Sequence, residues 1–329
     1  MTHAPVIIPT LNRCEHFRQC LDSLEHCTGA EQTEVYVGLD FPPSDKYVDG
    51  WKKIDAYLAE KEKQNGFKRL IVIRRTENRG LVSREKLSNM AGLFLYVMSK
   101  YDALIVTEDD NVFSPNFLEY INKGLTRYEN DPSVLAIVGY AHPYHFRHAD
   151  NNHYRHNTDM SVWGYGIWTK KHKEMSTFVR NGGISKMLSL HSIYKVYKHG
   201  WLRLYQFLLL ALKREKIRLT DSAISVYLIL TDRYVIVPTL SKVRNIGWDL
   251  QGNSFKNGMQ GKDLIAQRHN SQPIDTAEHF DYVGDDHAYM DYNNTVAVKE
   301  SDGYMSFGKF IKNVLTSLSR GVKNAVRKS

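Results

Sequence analysis

The first hundred residues alternate between short apolar runs and stretches with helical periodicity. Pro5-Val6-Ile7-Ile8-Pro9 is a continuous apolar run of strand length, closed by a turn at Thr10-Leu11-Asn12-Arg13 with Asn12 as a helix N-cap. Phe17, Cys20, Leu21 and Leu24 then recur at spacings of three and four, one face of a helix. Val35-Tyr36-Val37-Gly38-Leu39 is a second strand ending at Asp40, and Phe41-Pro42-Pro43-Ser44-Asp45 is a loop. Residues 51–62 read as a helix, Leu70-Ile71-Val72-Ile73 as a third strand, and Asn78-Arg79-Gly80 as a turn. Residues 82–100 read as a long apolar-rich helix and residues 103–106 as a fourth strand, with the next helix starting at Ser114-Pro115. The alternation predicts an α/β fold, a mostly parallel central sheet flanked by helices. At the far end Phe307, Phe310, Ile311, Val314, Leu315, Leu318 and Val322 predict an amphipathic helical tail.

In such a sheet, ligands bind beyond the carboxyl ends of the strands, so the polar residues there carry the chemistry. They are Thr10 to Arg13, Asp40, Asn78-Arg79-Gly80, and the acids Glu108, Asp109 and Asp110. No Gly-x-Gly-x-x-Gly follows the first strand and no Gly-x-x-x-x-Gly-Lys-Ser/Thr occurs, which argues against a dinucleotide site and a P-loop ATPase. Three adjacent carboxylates repel one another unless something positive binds them. Hard cations such as Mg²⁺ and Mn²⁺ prefer these oxygens, and hold a diphosphate with their remaining positions. The competing reading is an acidic cluster feeding the dipole of the Ser114 helix.

Composition narrows the class. A chain of 329 residues, 42% hydrophobic and 24% charged, suits one large globular domain or two moderate ones. No run of about 18 apolar residues predicts a membrane span, and Thr2-His3-Ala4 leads straight into a strand rather than a signal peptide. Cys14, Cys20 and Cys27, an odd and clustered set, read as free thiols on one helix, so a reducing, cytoplasmic setting is expected. The net charge of +8 suggests an anionic partner: nucleic acid, phosphorylated small molecules or an anionic membrane.

"VIIPTLNR", Asp40, "ENRGL" ahead of Arg84, and "TEDDN" together resemble nucleotide-sugar glycosyltransferases of the GT-A fold, family-2-like. The Glu-Asp-Asp form of the acidic motif looks like that of N-acetylglucosaminyltransferase I. "SVWGYGIWTKK" resembles the acceptor-side segment of these enzymes, "RLTDSAISVYL" the segment with the catalytic acid, and "SKVRNIGWDLQGNSF" a closing element of bacterial relatives. The resemblance covers residues 5–255. It implies a Rossmann-like GT-A fold and a metal-dependent inverting transfer from a UDP-sugar, of hexosyl or N-acetylhexosaminyl type, with Mn²⁺ or Mg²⁺ as cofactor. By the matched positions, Asp40 reads the base, Arg84 and less securely Arg79 approach the diphosphate, Glu108 and Asp109 face ribose and donor sugar, Asp110 binds the metal, and Asp221 is the general base. Ser254 stands where metal-dependent relatives often have His, which leaves Asp110, diphosphate and water as the metal's ligands.

Chemistry supports Asp221 as well, because inverting transfer needs a carboxylate to deprotonate the attacking hydroxyl. Its alternative role is in the first turn of the helix over residues 223–230, stabilising only that helix. Asp159, Glu215 and Asp249 are lesser candidates for the base. His142, His145, His148, His153 and His156 form a cluster that reads as an acceptor-side loop ahead of a zinc site, and Trp163 and Trp168 suit either a sugar face or packing. The expected organisation is a nucleotide-sugar half at 1–138, an acceptor half at 139–255 in the same domain, a polar extension at 256–303, and a basic membrane-association tail at 304–329.

The expected partners are a nucleotide-sugar donor, a glycan or lipid-linked acceptor of bacterial surface polysaccharide synthesis, and the anionic inner face of the plasma membrane, with no nucleic acid. The tail's Lys309, Lys312, Arg320, Lys323 and Arg327 support that last partner, against the alternative of a helix packed on the protein's own core. Two other functional classes compete. A nucleotidyltransferase would want a Gly-rich basic loop after the first strand, which "PTLNRCEHF" lacks, and a non-catalytic glycan- or membrane-binding module would not need the acids at 108–110.

Overall fold

The computed structural model describes residues 3–80, 87–141, 150–213, 219–247, 272–289 and 305–326. In chain order the first half comprises β1 (Val6–Thr10), α1 (Cys14–Glu25), β2 (Glu34–Leu39), α2 (Val48–Lys61), β3 (Arg69–Arg74), α3 (Asn89–Met98), β4 (Ala103–Val106), β5 (Asn111–Phe113) and α4 (Phe117–Arg127). There follow β6 (Val134–Val138), β7 (His153–His156), β8 (Tyr165–Trp168), α5 (Thr169–Arg180), α6 (Gly183–Lys186), α7 (Leu190–Tyr197), α8 (Trp201–Leu212), α9 (Asp221–Thr231), β9 (Tyr234–Pro238), β10 (Val243–Asn245) and α10 (Phe307–Val326).

Eight strands form one sheet in the order β3-β2-β1-β4-β8-β6-β9-β7, and β5 pairs with β10 in a small second sheet. The first four strands are mutually parallel. β1, β2 and β4 read as unbroken apolar runs because both their faces are covered, with Val6, Ile7, Ile8, Val35, Val37, Leu104 and Ile105 fully buried, while the edge strand β3 is only half-buried. The chain passes from β1 outward to β2 and β3, then returns to place β4 on the other side of β1. That reversal opens a crevice at the carboxyl ends of β1 and β4. β8 runs antiparallel to both β4 and β6, and so joins the halves into one core.

Several boundaries differ from the sequence expectation. The helix expected over 82–100 is observed as α3 from Asn89, with the Ser88 hydroxyl accepting from the Ala91 N–H; 81–86 lie outside the described residues. Ser114 does not start a helix. Residues 111–113 instead form β5, drawn into pairing with β10, and α4 begins at Phe117. Asn12 is not the cap of α1; Arg13 holds that position and sends its side chain elsewhere. Part of the segment expected as a loose polar extension is packed. Phe280 is buried against Tyr120, Tyr282 stacks on the same ring, and Arg127 grips Asp286 with three hydrogen bonds of 2.7 to 3.0 Å. The tail forms α10, and the start of its apolar stripe rests on α8: Phe310 is buried, its ring 5.0 Å from that of Trp201. All three cysteines are free, with Cys14 and Cys20 on α1 and Cys27 just past its end.

Candidate active site

Register builds the centre of the site. β1 and β4 pair as Val6↔Ile105 and Ile7↔Val106. Carried three residues further, the same register sets Thr10 beside Asp109, and the Thr10 hydroxyl donates to Asp109 Oδ2 at 2.9 Å. From the first turn beyond β1, one Arg13 guanidinium nitrogen donates to Asp109 Oδ1 at 2.6 Å and to Asp110 Oδ2 at 2.7 Å. The Asn245 amide of β10 donates to Asp110 Oδ1 at 2.7 Å and to Asn111 Oδ1 at 2.9 Å. The backbone N–H of Ile246 closes onto the Asp110 carbonyl. Every carboxylate oxygen of the Asp109–Asp110 pair therefore has a protein donor.

The electrostatics follow from burial. Asp109 and Asp110 are buried and Glu108 half-buried. Burial, then the charges of Asp110, Asp109 and Asp221, push the Glu108 carboxyl up to about 8. Burial also raises Asp109, against the pull of Arg13 and the Thr10 hydroxyl. Burial opposes the charge on Arg13, yet its two carboxylates hold the guanidinium more firmly protonated than usual.

Asp221 comes from another part of the chain and meets the same field. It is the first residue of α9, and the cap is Thr220, whose hydroxyl accepts from the Ala223 N–H at 3.3 Å. The capping need is thus met without the Asp221 carboxylate. That group opens to solvent, while burial and then the charge of Asp159 raise its pKa above the ordinary value and Arg203 pulls it down. Tyr165, at the start of β8 in register with Val106, has its phenol raised by burial and by both Asp221 and Glu108, so it stands near both carboxylates.

Asp40 lies in the same row of strand ends. β2 is two strands from β4, which places Asp40 about 10 Å from Asp109 along the edge. Its carboxylate accepts from the N–H groups of Phe41, Arg79 and Gly80 at 3.0, 2.9 and 3.2 Å, and weakly from the Asn78 amide. In this arrangement Asp40 ties the 78–80 turn to β2. Arg79 reaches Glu77 at 3.1 Å, and its buried Nε has no hydrogen-bond partner among the described residues.

Other expected residues fall elsewhere. Arg84, Glu215, Asp249, Ser254, His142, His145 and His148 lie outside the described residues. Asp159 accepts from the Met160 N–H at 2.8 Å and lies 3.4 Å from Arg203. His153 and His156 are on β7, four strands and roughly 19 Å from β4. His153 there bonds Asn152 and Asp286. Trp168 is core, covered by the Lys171 ammonium at 3.6 Å, and Trp163 packs on Tyr140.

The sequence placed Thr10 and Arg13 at the crevice, Asn245 and Gly247 in the closing element and Tyr165 in the acceptor-side segment, but gave none of them an individual role. The signal for Arg13 was a lone cation three residues past a strand whose neighbour ends in acids. A Cβ on Gly247 would overlap Asp110 Oδ2 and lie against Arg13, so only glycine lets this backbone approach the acids.

Among the described residues no three His, Cys, Asp or Glu side chains form a metal cage. The donors at hand are hard carboxylate oxygens, which suit Mg²⁺ or Mn²⁺ bound by one or two carboxylates with diphosphate and water. Asp110 fits that role, since its Oδ2 accepts from Arg13 and faces bare backbone at Gly247. The arrangement can hold a cation at the switch point of the sheet, with a carboxylate of raised pKa nearby to take a proton.

No family model matches this chain, and no curated protein does. Among solved structures it is similar to TarS of S. aureus, with TM-score 0.34 and 13% identity over 52% of this chain and 29% of the TarS chain. It thus spans less than a third of that protein. It is also similar to the mannosyltransferase PcManGT from Pyrobaculum calidifontis, in complex with GDP-Man and Mn²⁺, with TM-score 0.38 and 14% identity over 70% of this chain and 68% of that one.

Proposed function

We propose that this chain is a metal-dependent, inverting glycosyltransferase, moving a hexosyl or N-acetylhexosaminyl group from a UDP-sugar to a glycan or lipid-linked acceptor of surface polysaccharide synthesis. The observation that carries the reading is convergence. Residues from β1, β4, β10 and the start of α9, far apart in sequence, meet at the carboxyl edge of the parallel strands, and the charge of Asp221 acts on Glu108 there. A nucleotidyltransferase or a binding module has no need of a second carboxylate of raised pKa across from the first cluster.

The roles divide as follows. Asp40 and the 78–80 turn bound the base end of the crevice, and Arg79 supplies positive charge beside it. Asp110 holds Mn²⁺ or Mg²⁺, which when bound neutralises charge on the departing diphosphate. Arg13 and Asn245 fix the orientation of the Asp110 carboxylate. Asp221 accepts the proton of the acceptor hydroxyl as its oxygen bonds to the anomeric carbon and the bond from that carbon to the diphosphate breaks. Its raised pKa brings a carboxylate nearer to the working range of a base.

The test is Asp110→Ala, with UDP affinity measured by calorimetry in Mn²⁺ and in EDTA. The wild type binds UDP more tightly in Mn²⁺, and the variant loses that difference while its melting transition stays cooperative. A variant that keeps the full Mn²⁺ effect would remove Asp110 from the metal site and the proposal with it.

A further inference from the structure

We propose that α7, α8 and α10 together form a docking face for an anionic lipid surface. The apolar residues concerned are not core. On α7, Leu190, Tyr194 and Tyr197 recur at spacings of four and three and are 86%, 59% and 41% exposed. On α8 the buried stripe is Leu204, Phe207, Leu210 and Ala211, while Trp201, Tyr205, Leu208 and Leu212 form a second stripe that the interior leaves partly or wholly uncovered. α10 lies against that second stripe: the Phe307 ring is 4.9 Å from Trp201, and the Tyr205 and Ser317 hydroxyls are 3.1 Å apart. It still exposes Phe307, Ile311 and Leu315. The Tyr197 and Trp201 rings lie 4.8 Å apart, so the three stripes join into one face.

Charge identifies the occupant. Residues 182–213 and 305–326 contain nine lysines and arginines and no Asp or Glu. The chain's excess is 44 cations over 36 acids, or +8, so everything outside these two segments comes to about −1. Lys195 pairs with Asp232, and Arg203 lies 3.4 Å from Asp159. Lys186, Lys198, Lys213, Lys309 and Lys312 make no ion pair among the described residues. A second copy of this chain on the same face would set those cations against each other, which disfavours self-association. An anionic bilayer satisfies both features: leucines enter the acyl boundary, Tyr and Trp sit at headgroup level, and lysines reach lipid phosphates. No helix among the described residues is long and apolar enough to cross a bilayer, so this face lies on the surface.

The face adjoins the site. The buried side of α8 carries Arg203 to Asp159, whose charge acts on Asp221, and His199 at its start bonds Thr158. A bilayer on this face would thus be separated from the Asp159–Asp221 region by the thickness of α8. Only its relation to the candidate base rests on the glycosyltransferase reading; lipid binding itself does not.

The experiment is flotation of the full chain with phosphatidylglycerol–phosphatidylcholine vesicles and with phosphatidylcholine alone, at low and high salt. The wild type floats with the anionic vesicles, less so at high salt. The double variant Leu190→Glu/Tyr194→Glu, at exposed positions and with an unchanged melting transition, loses binding by about tenfold or more. Asp110→Ala floats like the wild type, which separates this surface from the donor site. Undiminished binding of the double variant would show that the tail or charge alone suffices and would overturn the three-helix face. Absence of wild-type binding would overturn it too, as would a wild-type dimer in sedimentation equilibrium that the double variant dissociates.

Discussion

Replacing Arg13 with methionine should tighten Mn²⁺ binding in the absence of nucleotide. One guanidinium nitrogen now spans Asp109 and Asp110 at 2.6 and 2.7 Å, occupying oxygens that a divalent ion needs. The side chain is 23% exposed, so its bonds lie at the lower end for charge-assisted pairs, about 1.5 kcal/mol each. Losing both competitors is worth up to about 3 kcal/mol, a factor of roughly 10² in affinity. Water recovers part of this, so the expected gain is about tenfold to hundredfold. The same substitution strips two buried carboxylates of their cation, and without metal the variant should be less stable by about 3 kcal/mol. Mn²⁺ at about a hundred times its dissociation constant returns about 2.7 kcal/mol through linkage. Affinity is read from the free-Mn²⁺ resonance signal and stability from urea unfolding, with and without the ion. Arg18→Met, an exposed cation on the same helix, controls for general charge. Unchanged or weaker Mn²⁺ affinity in Arg13→Met, or an equal gain in the control, would refute competition at these oxygens.

Three further outcomes follow from the geometry. Gly247→Ala pushes a methyl group into Asp110 Oδ2, so Mn²⁺-dependent UDP binding in calorimetry should fall at least about tenfold, with the change in melting temperature confined to a few degrees. Asp221→Asn should bind UDP-sugar almost normally and transfer sugar roughly 10²-fold more slowly or worse; near-normal turnover would move the base to Asp159. Asp286→Asn tests the packed 272–289 segment. Burial works against the Asp286 carboxylate, but hydrogen bonds from Arg127, Tyr128 and His153 outweigh it and pull the group to about 2. A carboxyl lowered on folding stabilises above its unfolded value near 4 and loses that contribution as pH falls towards 2. The group is 30% exposed, so the loss in Asp286→Asn should be about 1–2 kcal/mol at pH 7 and vanish near pH 2 in urea titrations.

The parallel half of the fold was legible because β1, β2 and β4 are buried on both faces, and such strands announce themselves as unbroken apolar runs; the edge strand β3 keeps the run Leu70 to Ile73 though half-buried. The crevice was legible for the same reason: once β1 and β4 are known, their carboxyl ends are known. The pairing of Arg13 was not legible because its partners are 96 and 97 residues away, and only the register of β1 on β4 brings them together. β5 was misread because Ser114-Pro115 carries a local helix signal, while pairing with β10 is a contact across about 130 residues. The tail's stripe showed a helix with an apolar side but not what covers it; that depended on α8 having a second apolar stripe of its own.

Charge explains why these devices sit together. Around the crevice Glu108, Asp109, Asp110, Asp159 and Asp221 are held against Arg13 and Arg203. Fully ionised, that set is three charges short of balance. Burial relieves one by keeping Glu108 protonated near neutral pH, since its carboxyl is pushed up to about 8. Among the described residues acidic charge is still in excess, and a diphosphate would add to it. On the glycosyltransferase reading proposed above, a nucleotide donor would enter against that field unless a divalent cation came with it or ahead of it. The acids are thus ill-suited to holding a donor alone and well suited to holding a donor–metal pair. On that reading Arg13 would be the counter-charge of the acids until the pair arrives, since it lies across the oxygens proposed for the metal.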